Sequence, residues 1–252
     1  MIAPFFAFAL SAQTNNSYEK HWLVQGNDSL PYRLLLPENY DASKKYPLIF
    51  FMHGAGERGN DNEAQLIHGA KLFLQAGVRR QYPAIVVFPQ CPKNSYWSSV
   101  NFKIDSLGKR TFLFNAGAEP TMAMKLANAL LHQIINKYPV QQKKVYAGGL
   151  SMGGMGTFEI VYRNPGLFAA AFPICGGGDP STARQLKKTK WWVFHGANDD
   201  VVPPAYSQEM VTALQESKAR VKFTLYPNAN HNSWDAAFAE PGLLSWLFAQ
   251  KK

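Results

Sequence analysis

The sequence predicts an α/β fold: a mostly parallel central sheet with helices on both faces, entered through an N-terminal antiparallel hairpin. Three observations predict it. From residue 48 onward, short runs rich in Val, Ile, Phe and Trp alternate with longer amphipathic stretches, which is the pattern of parallel strands joined by helical crossovers. Several of the short runs are apolar at every position, as strands buried on both faces must be. The 252 residues are enough for one such unit with a sizeable core.

The elements follow in order. His21 to Gln25 and Tyr32 to Leu36 flank the turn-forming Gly26-Asn27-Asp28 and read as the hairpin. Further strands are expected at Pro47 to Met52, Ala84 to Phe88, Lys144 to Gly148, Ala169 to Ile174, Trp191 to Phe194 and Val221 to Tyr226. Helices are expected near Gln65 to Ala76, Met122 to Lys137, Met155 to Tyr162, Tyr206 to Lys218 and Leu243 to Phe248. The stretch from Cys91 to Pro120 is longer than an ordinary loop and is expected to form a rim or lid. Ile2 to Ala12 is apolar but too short to span a bilayer, and it ends in the small-residue sequence Leu10-Ser11-Ala12-Gln13. Residues 1–12 therefore read as a signal peptide, although no Lys or Arg precedes the apolar run. Residues 13–252 read as a single domain, and the chain as an exported one.

Chemistry concentrates at Gly149-Leu150-Ser151-Met152-Gly153, which directly follows the run Lys144 to Gly148 and precedes a helix-compatible stretch. A strand that turns into a helix within one or two residues strains the turning residue and needs small neighbours. That geometry would lift the Ser151 hydroxyl clear of the sheet, beside backbone N–H groups at a helix N-terminus. Serine alone is a weak nucleophile and requires a base and an orienting acid. Asp199 follows the strand ending at Phe194, and His231 follows the strand ending at Tyr226, so Ser, Asp and His appear in that order, each after a strand. Asp200 competes with Asp199, since successive side chains alternate in direction and only one can face the imidazole. His53 and His195, in His-Gly pairs at strand ends, read as loop braces. His21, His68 and His132 lie within predicted elements.

Taken together, Phe51 to Gly59 (FMHGAGERG), Gly149 to Gly154, His195 to Pro203 (HGANDDVVP) and His231 to Trp234 resemble the α/β-hydrolase superfamily. Within it, the chain is similar to single-domain phospholipase/carboxylesterase and dienelactone-hydrolase-like ("predicted peptidase") esterases. Phe88 to Pro92 and Ile174 to Gly178 fit the last group, and the resemblance spans about Tyr46 to Phe248. Ser151 stands where dienelactone hydrolases carry cysteine, so their lactone chemistry is not implied. The resemblance implies a catalytic triad of Ser151, Asp199 and His231, with an oxyanion hole formed by the backbone N–H of Met152 and one from Gly54 or Ala55. It implies serine carboxylesterase activity through an acyl-enzyme. A serine peptidase of the prolyl-oligopeptidase-like type and a non-catalytic hydrolase-fold binding protein are the alternatives.

Composition narrows the partners. The net charge is +9, but the basic residues come as scattered pairs such as Lys44-Lys45 and Arg79-Arg80. They form no stripe of the kind that binds nucleic acid, so no nucleic acid and no stable membrane association are expected. With two cysteines and no His-x-x-x-His spacing, no metal and no cofactor are expected. The substrate is read as a small-molecule or polysaccharide-linked ester; the oligomeric state stays open. Trp97 and Trp234 are candidates to present flat faces to a sugar or an aromatic acyl group, which suits feruloyl or acetyl esters on polysaccharides by analogy with fold-level relatives. If the sheet follows the order usual for hydrolases, Cys91 and Cys175 end strands three steps apart. At about 4.8 Å per step they are too distant for a disulfide.

Overall fold

A computed structural model describes residues 17–106 and 110–252; the predicted signal peptide lies outside the described residues. The chain opens with β1 (Glu19–Gln25) and β2 (Asp28–Leu35), an antiparallel hairpin closed at Gly26, whose φ of 60° suits glycine. Next come β3 (Tyr46–Met52), the short helices α1 (Ala70–Leu74) and α2 (Ala76–Gln81), and β4 (Ile85–Pro89). A separate hairpin of β5 (Val100–Ile104) and β6 (Arg110–Phe114) precedes α3 (Met122–Lys137), β7 (Val140–Leu150) and α4 (Met152–Arg163). Then follow β8 (Ala170–Ile174), α5 (Ala183–Leu186), β9 (Lys190–Gly196), α6 (Ala205–Glu216), β10 (Val221–Tyr226), α7 (Trp234–Phe238) and α8 (Leu243–Ala249).

Eight strands form one sheet in the order β1-β2-β4-β3-β7-β8-β9-β10. From β4 to β10 every pairing is parallel, and β2 joins β4 antiparallel. This is the mainly parallel sheet with an N-terminal antiparallel hairpin that the sequence predicts. Strand β3 shows why its run is apolar throughout. Leu48, Phe50 and Met52 join the core on one face with α3, α4 and α6, whereas Ile49 and Phe51 join the core on the other with α1, α7 and α8. Each such side chain contributes about 1.5–3 kcal/mol through burial. Among the described residues, no helix is long and apolar enough to cross a membrane.

Three of the departures from expectation stand out. The single helix predicted over Gln65–Ala76 is a 3₁₀ turn (Ala64–Leu66) followed by α1 and α2, because Gly69 adopts φ 82° and Gln75 is extended. A Cβ at Gly69 would also lie 2.6 Å from the Phe238 ring. Helix α4 starts three residues before the predicted Met155, running through Gly153 and Gly154 despite their poor helix propensity. The Cys91–Pro120 connection contains the β5–β6 hairpin. It is tied to α4 through Glu159, whose carboxylate accepts from Ser98 Oγ (2.8 Å), the Ser99 N–H (2.6 Å) and Arg163 Nε (2.8 Å).

Candidate active site

Ser151 is the single residue between β7 and α4, with φ 53° and ψ −117°. L-residues rarely adopt this conformation, and it persists only where surrounding packing fixes it. The packing is supplied by glycines on both sides. A Cβ on Gly149 would stand 2.3 Å from the Gly153 carbonyl oxygen, and one on Gly153 would stand 2.0 Å from that of Met52. The first turn of α4 therefore rests directly on the end of β3. The Met152 N–H is among the first four of the helix, which have no partner within it.

The other two predicted residues converge on Ser151. His231 Nε2 lies 2.9 Å from Ser151 Oγ, and its Nδ1 lies 2.8 Å from Asp199 Oδ2. Asp199 Oδ1 accepts the N–H groups of Val201 (3.0 Å) and Val202 (2.9 Å). Neighbouring Asp200 is exposed. Burial pushes the Asp199 carboxyl toward its neutral form, but the hydrogen bonds from His195, His231 and the Val202 N–H outweigh this and hold it well below the usual carboxylate range. Asp199 is thus held as the carboxylate at neutral pH.

Ser151 and His231 open into a cleft lined by Gly54, Ala55, Glu57, Tyr96, Arg110, Phe112, Val202 and Trp234. The turn after β3 brings Gly54 and Ala55 to one wall. A side chain on Gly54 would meet Leu150 Cδ1 at 2.8 Å and Ser151 Cβ at 3.6 Å, so glycine there keeps the backbone close to Ser151. His53 sits beneath this turn, with Nδ1 at 2.6 Å from the Gly54 carbonyl and Nε2 accepting from the Cys91 N–H at 2.9 Å. It is the loop brace expected from sequence, and burial lowers its pKa to about 4. The opposite wall is the β5–β6 hairpin, held by the Phe112 N–H donating to the Tyr206 hydroxyl at 2.9 Å.

The two tryptophans separate. Trp234 lines the cleft, edge-on to His231 with ring centroids 5.4 Å apart. Trp97 does not: it is fully buried, edge-on to His53, with its Cβ at 2.6 Å from where a Gly156 side chain would begin. Its expected role as a substrate platform is therefore corrected to core packing. Sequence reasoning also missed the contact of His195 Nε2 with Asp199 Oδ2 at 3.1 Å. No local signal marks it, because the loop after β9 folds Asp199 back onto the ring. Among the described residues, Cys175, Asp199 and His231 form a cluster of metal-capable donors, all within 4.8 Å of one another. Its His–Asp pair is already engaged in the chain of hydrogen bonds to Ser151. Cys91 and Cys175 are free and buried, at the ends of β4 and β8, three strands apart.

Comparison with known proteins places this site in a family. The sequence model of the "Putative esterase" family matches residues 25–235, and the chain belongs to that family. It is similar to the "Probable feruloyl esterase C" of Aspergillus terreus, at 27% identity over 71% of this chain and 58% of the relative. It is also similar to "Feruloyl esterase C" of Emericella nidulans, at 25% identity over 68% of this chain and 56% of the relative. The chain thus spans less than two thirds of the length of these curated relatives. Among solved structures, a thermostable esterase superposes with a TM-score of 0.83 at 34% identity, covering 94% of this chain and 64% of that one. A CE1 ferulic acid esterase from Anaeromyces mucronatus, solved with ferulic acid, shares the fold (TM-score 0.65, 16% identity, 92% and 90% covered).

Proposed function

We propose that the chain is a serine carboxylesterase that hydrolyses carboxylic esters through an acyl-enzyme, with Ser151 as nucleophile, His231 as base and Asp199 as orienting acid. The observation that carries this reading is the unbroken hydrogen-bond chain Ser151 Oγ–His231–Asp199 opening into one cleft. His231 Nε2 takes the hydroxyl proton as Oγ attacks the ester carbonyl, and Asp199 holds the imidazole by Nδ1 and stabilises the imidazolium. The Met152 N–H and one from Gly54 or Ala55 receive the oxyanion; each donor contributes roughly 3 kcal/mol to the transition state. His231 then returns the proton to the departing alcohol. Water repeats the sequence on the acyl-enzyme.

The substrate class proposed is a feruloyl or acetyl ester on a polysaccharide. The aromatic wall formed by Trp234, Phe112 and Tyr96 and the names of the similar proteins support it. Export, with residues 1–12 removed, belongs to the same proposal and is tested by sequencing the N-terminus of the mature protein. Purified protein is assayed on methyl ferulate, acetylated xylan, p-nitrophenyl esters and aminoacyl-p-nitroanilides. Turnover of the esters over the anilides is expected. Anilide turnover at comparable kcat/KM would replace the proposal with a peptidase, and no turnover of any substrate by folded protein would reject catalysis.

A further inference from the structure

The Asp199 carboxylate is shared by two histidines. Oδ2 receives His231 on one side and His195 Nε2 on the other, while Oδ1 is filled by two backbone N–H groups. Nε2 of His195 faces only acceptors in these contacts, the carboxylate at 3.1 Å and the Val202 carbonyl at 2.8 Å, so this nitrogen carries a proton and donates. The other ring nitrogen, Nδ1, lies 2.7 Å from Ser207 Oγ, whose hydroxyl reaches the Gly176 carbonyl at 2.9 Å. Whether the Ser207 proton points to Gly176 or to Nδ1, the Nε2–H is shared between the Val202 carbonyl and Asp199 Oδ2.

This second chain leads back to the nucleophile. Gly176 packs so closely on the first turn of α4 that a Cβ there would lie 2.6 Å from the Gly154 carbonyl carbon and 2.8 Å from the Met155 nitrogen. Asp199 is therefore tied to Ser151 twice: through His231, which must change protonation during turnover, and through His195, Ser207 and Gly176, which are fully enclosed. We propose that His195 is a positioning residue for the reaction, fixing the Asp199 carboxylate against the turn that carries Ser151 so that His231 keeps its orientation when it becomes an imidazolium. Held only by the Val201 and Val202 N–H groups at Oδ1, the carboxylate can still swing Oδ2 toward the charge forming on His231. Held also by His195, it cannot do so without breaking a buried hydrogen bond, which is a costly loss.

The inference rests on the triad reading, so Ser151→Ala and His231→Ala are measured beside it. The test is a double-mutant cycle on full-length protein with p-nitrophenyl acetate, using His195→Leu, Asp199→Asn and the pair, each checked for a cooperative melting transition. His195→Leu is expected to lower kcat at least about tenfold with KM changed less than about threefold. His195→Gln, whose amide N–H can span the gap, is expected to recover most of the loss. In the Asp199→Asn background, His195→Leu is expected to cost no more than about twofold, because residues acting through one another are not additive. Should His195→Leu fail to fold, Ser207→Ala takes its place in the cycle with the same expected non-additivity. Full multiplication of the two effects, or a His195→Leu kcat within about threefold of wild type, overturns the proposal. Activity surviving in Ser151→Ala or His231→Ala instead overturns the triad beneath it.

Discussion

Ser151 is held at a backbone angle that costs of order 1–3 kcal/mol, and from there its hydroxyl reaches His231 at 2.9 Å. Ser151→Ala keeps the Cβ and the packing, so it is expected to leave the melting temperature close to wild type while cutting ester turnover by more than about a hundredfold. A fluorophosphonate should label wild type and not the variant. Asp199→Asn is expected to lose far more activity than Asp200→Asn, since Asp200 is exposed; the reverse ranking in kcat would reassign the acid. His53 gives a stability prediction. Its folded pKa is about 4 against about 6.5 in the unfolded chain, so between those values the unfolded state binds a proton that the folded state refuses. Stability must fall on acidification through that window, by up to about 1.4 kcal/mol per pH unit. The Asp199 shift acts below it, because a depressed carboxylate loses its contribution only as pH drops under its unfolded value near 3.9. Urea midpoints at pH 7, 5.5 and 4 should converge less steeply in His53→Gln, and equal slopes would reject the assignment. At this scale the sequence is informative where a residue lies in the loop just past a strand end, as Ser151, Asp199 and His231 do. It misplaced Trp97, because nothing local separates a tryptophan facing a cleft from one beneath it. It read His195 only as a brace, because its partner is defined by the fold of residues 197–204.

Helix α4 illustrates what happens when packing and propensity conflict. Gly153 and Gly154 are poor helix formers, yet they lie within the first turn because any Cβ there would strike backbone of Met52 or Ile174. Gly153→Ala should therefore force α4 off β3, lowering both melting temperature and turnover, in contrast to the usual gain from Gly→Ala in a helix; an unchanged melting temperature would contradict the close approach. The β5–β6 hairpin was legible only as an overlong connection, although Phe102 and Ile104, then Phe112 and Phe114, alternate in the manner of strands. Because it walls the cleft with Phe112, Phe112→Ala is expected to raise KM for methyl ferulate several-fold while changing that for p-nitrophenyl acetate little. Equal effects on both esters would deny the hairpin a part in acyl selection. The segment before β4 reads in sequence as one helix because its apolar spacing continues across Gly69. The turn there is imposed by the ring of Phe238, which lies far away in sequence.

For the whole molecule, the alternation of apolar runs and amphipathic stretches was enough to give the sheet, since each parallel strand must be followed by a crossover. The strand order separates the ends of β4 and β8 by β3 and β7. Thiol titration under denaturing, non-reducing conditions should thus find two reactive groups per chain, and none in freshly isolated protein would refute the arrangement. Burial pushes the Cys91 thiol pKa up to about 12 and raises that of Cys175 as well, so the folded protein should react with neither thiol at pH 8. The sheet's far edge has a different consequence. Strand β10 pairs on one side only, with β9, and has no fully buried residue, yet the loop that follows it supplies His231. Segments with few buried contacts open at lower free energy than the core. Catalysis should therefore disappear at denaturant concentrations where far-UV circular dichroism, dominated by the other strands and the helices, is still close to native. Loss of turnover would then act as an early gauge of damage, failing by detachment of the His231 loop while the other seven strands of the main sheet stay folded.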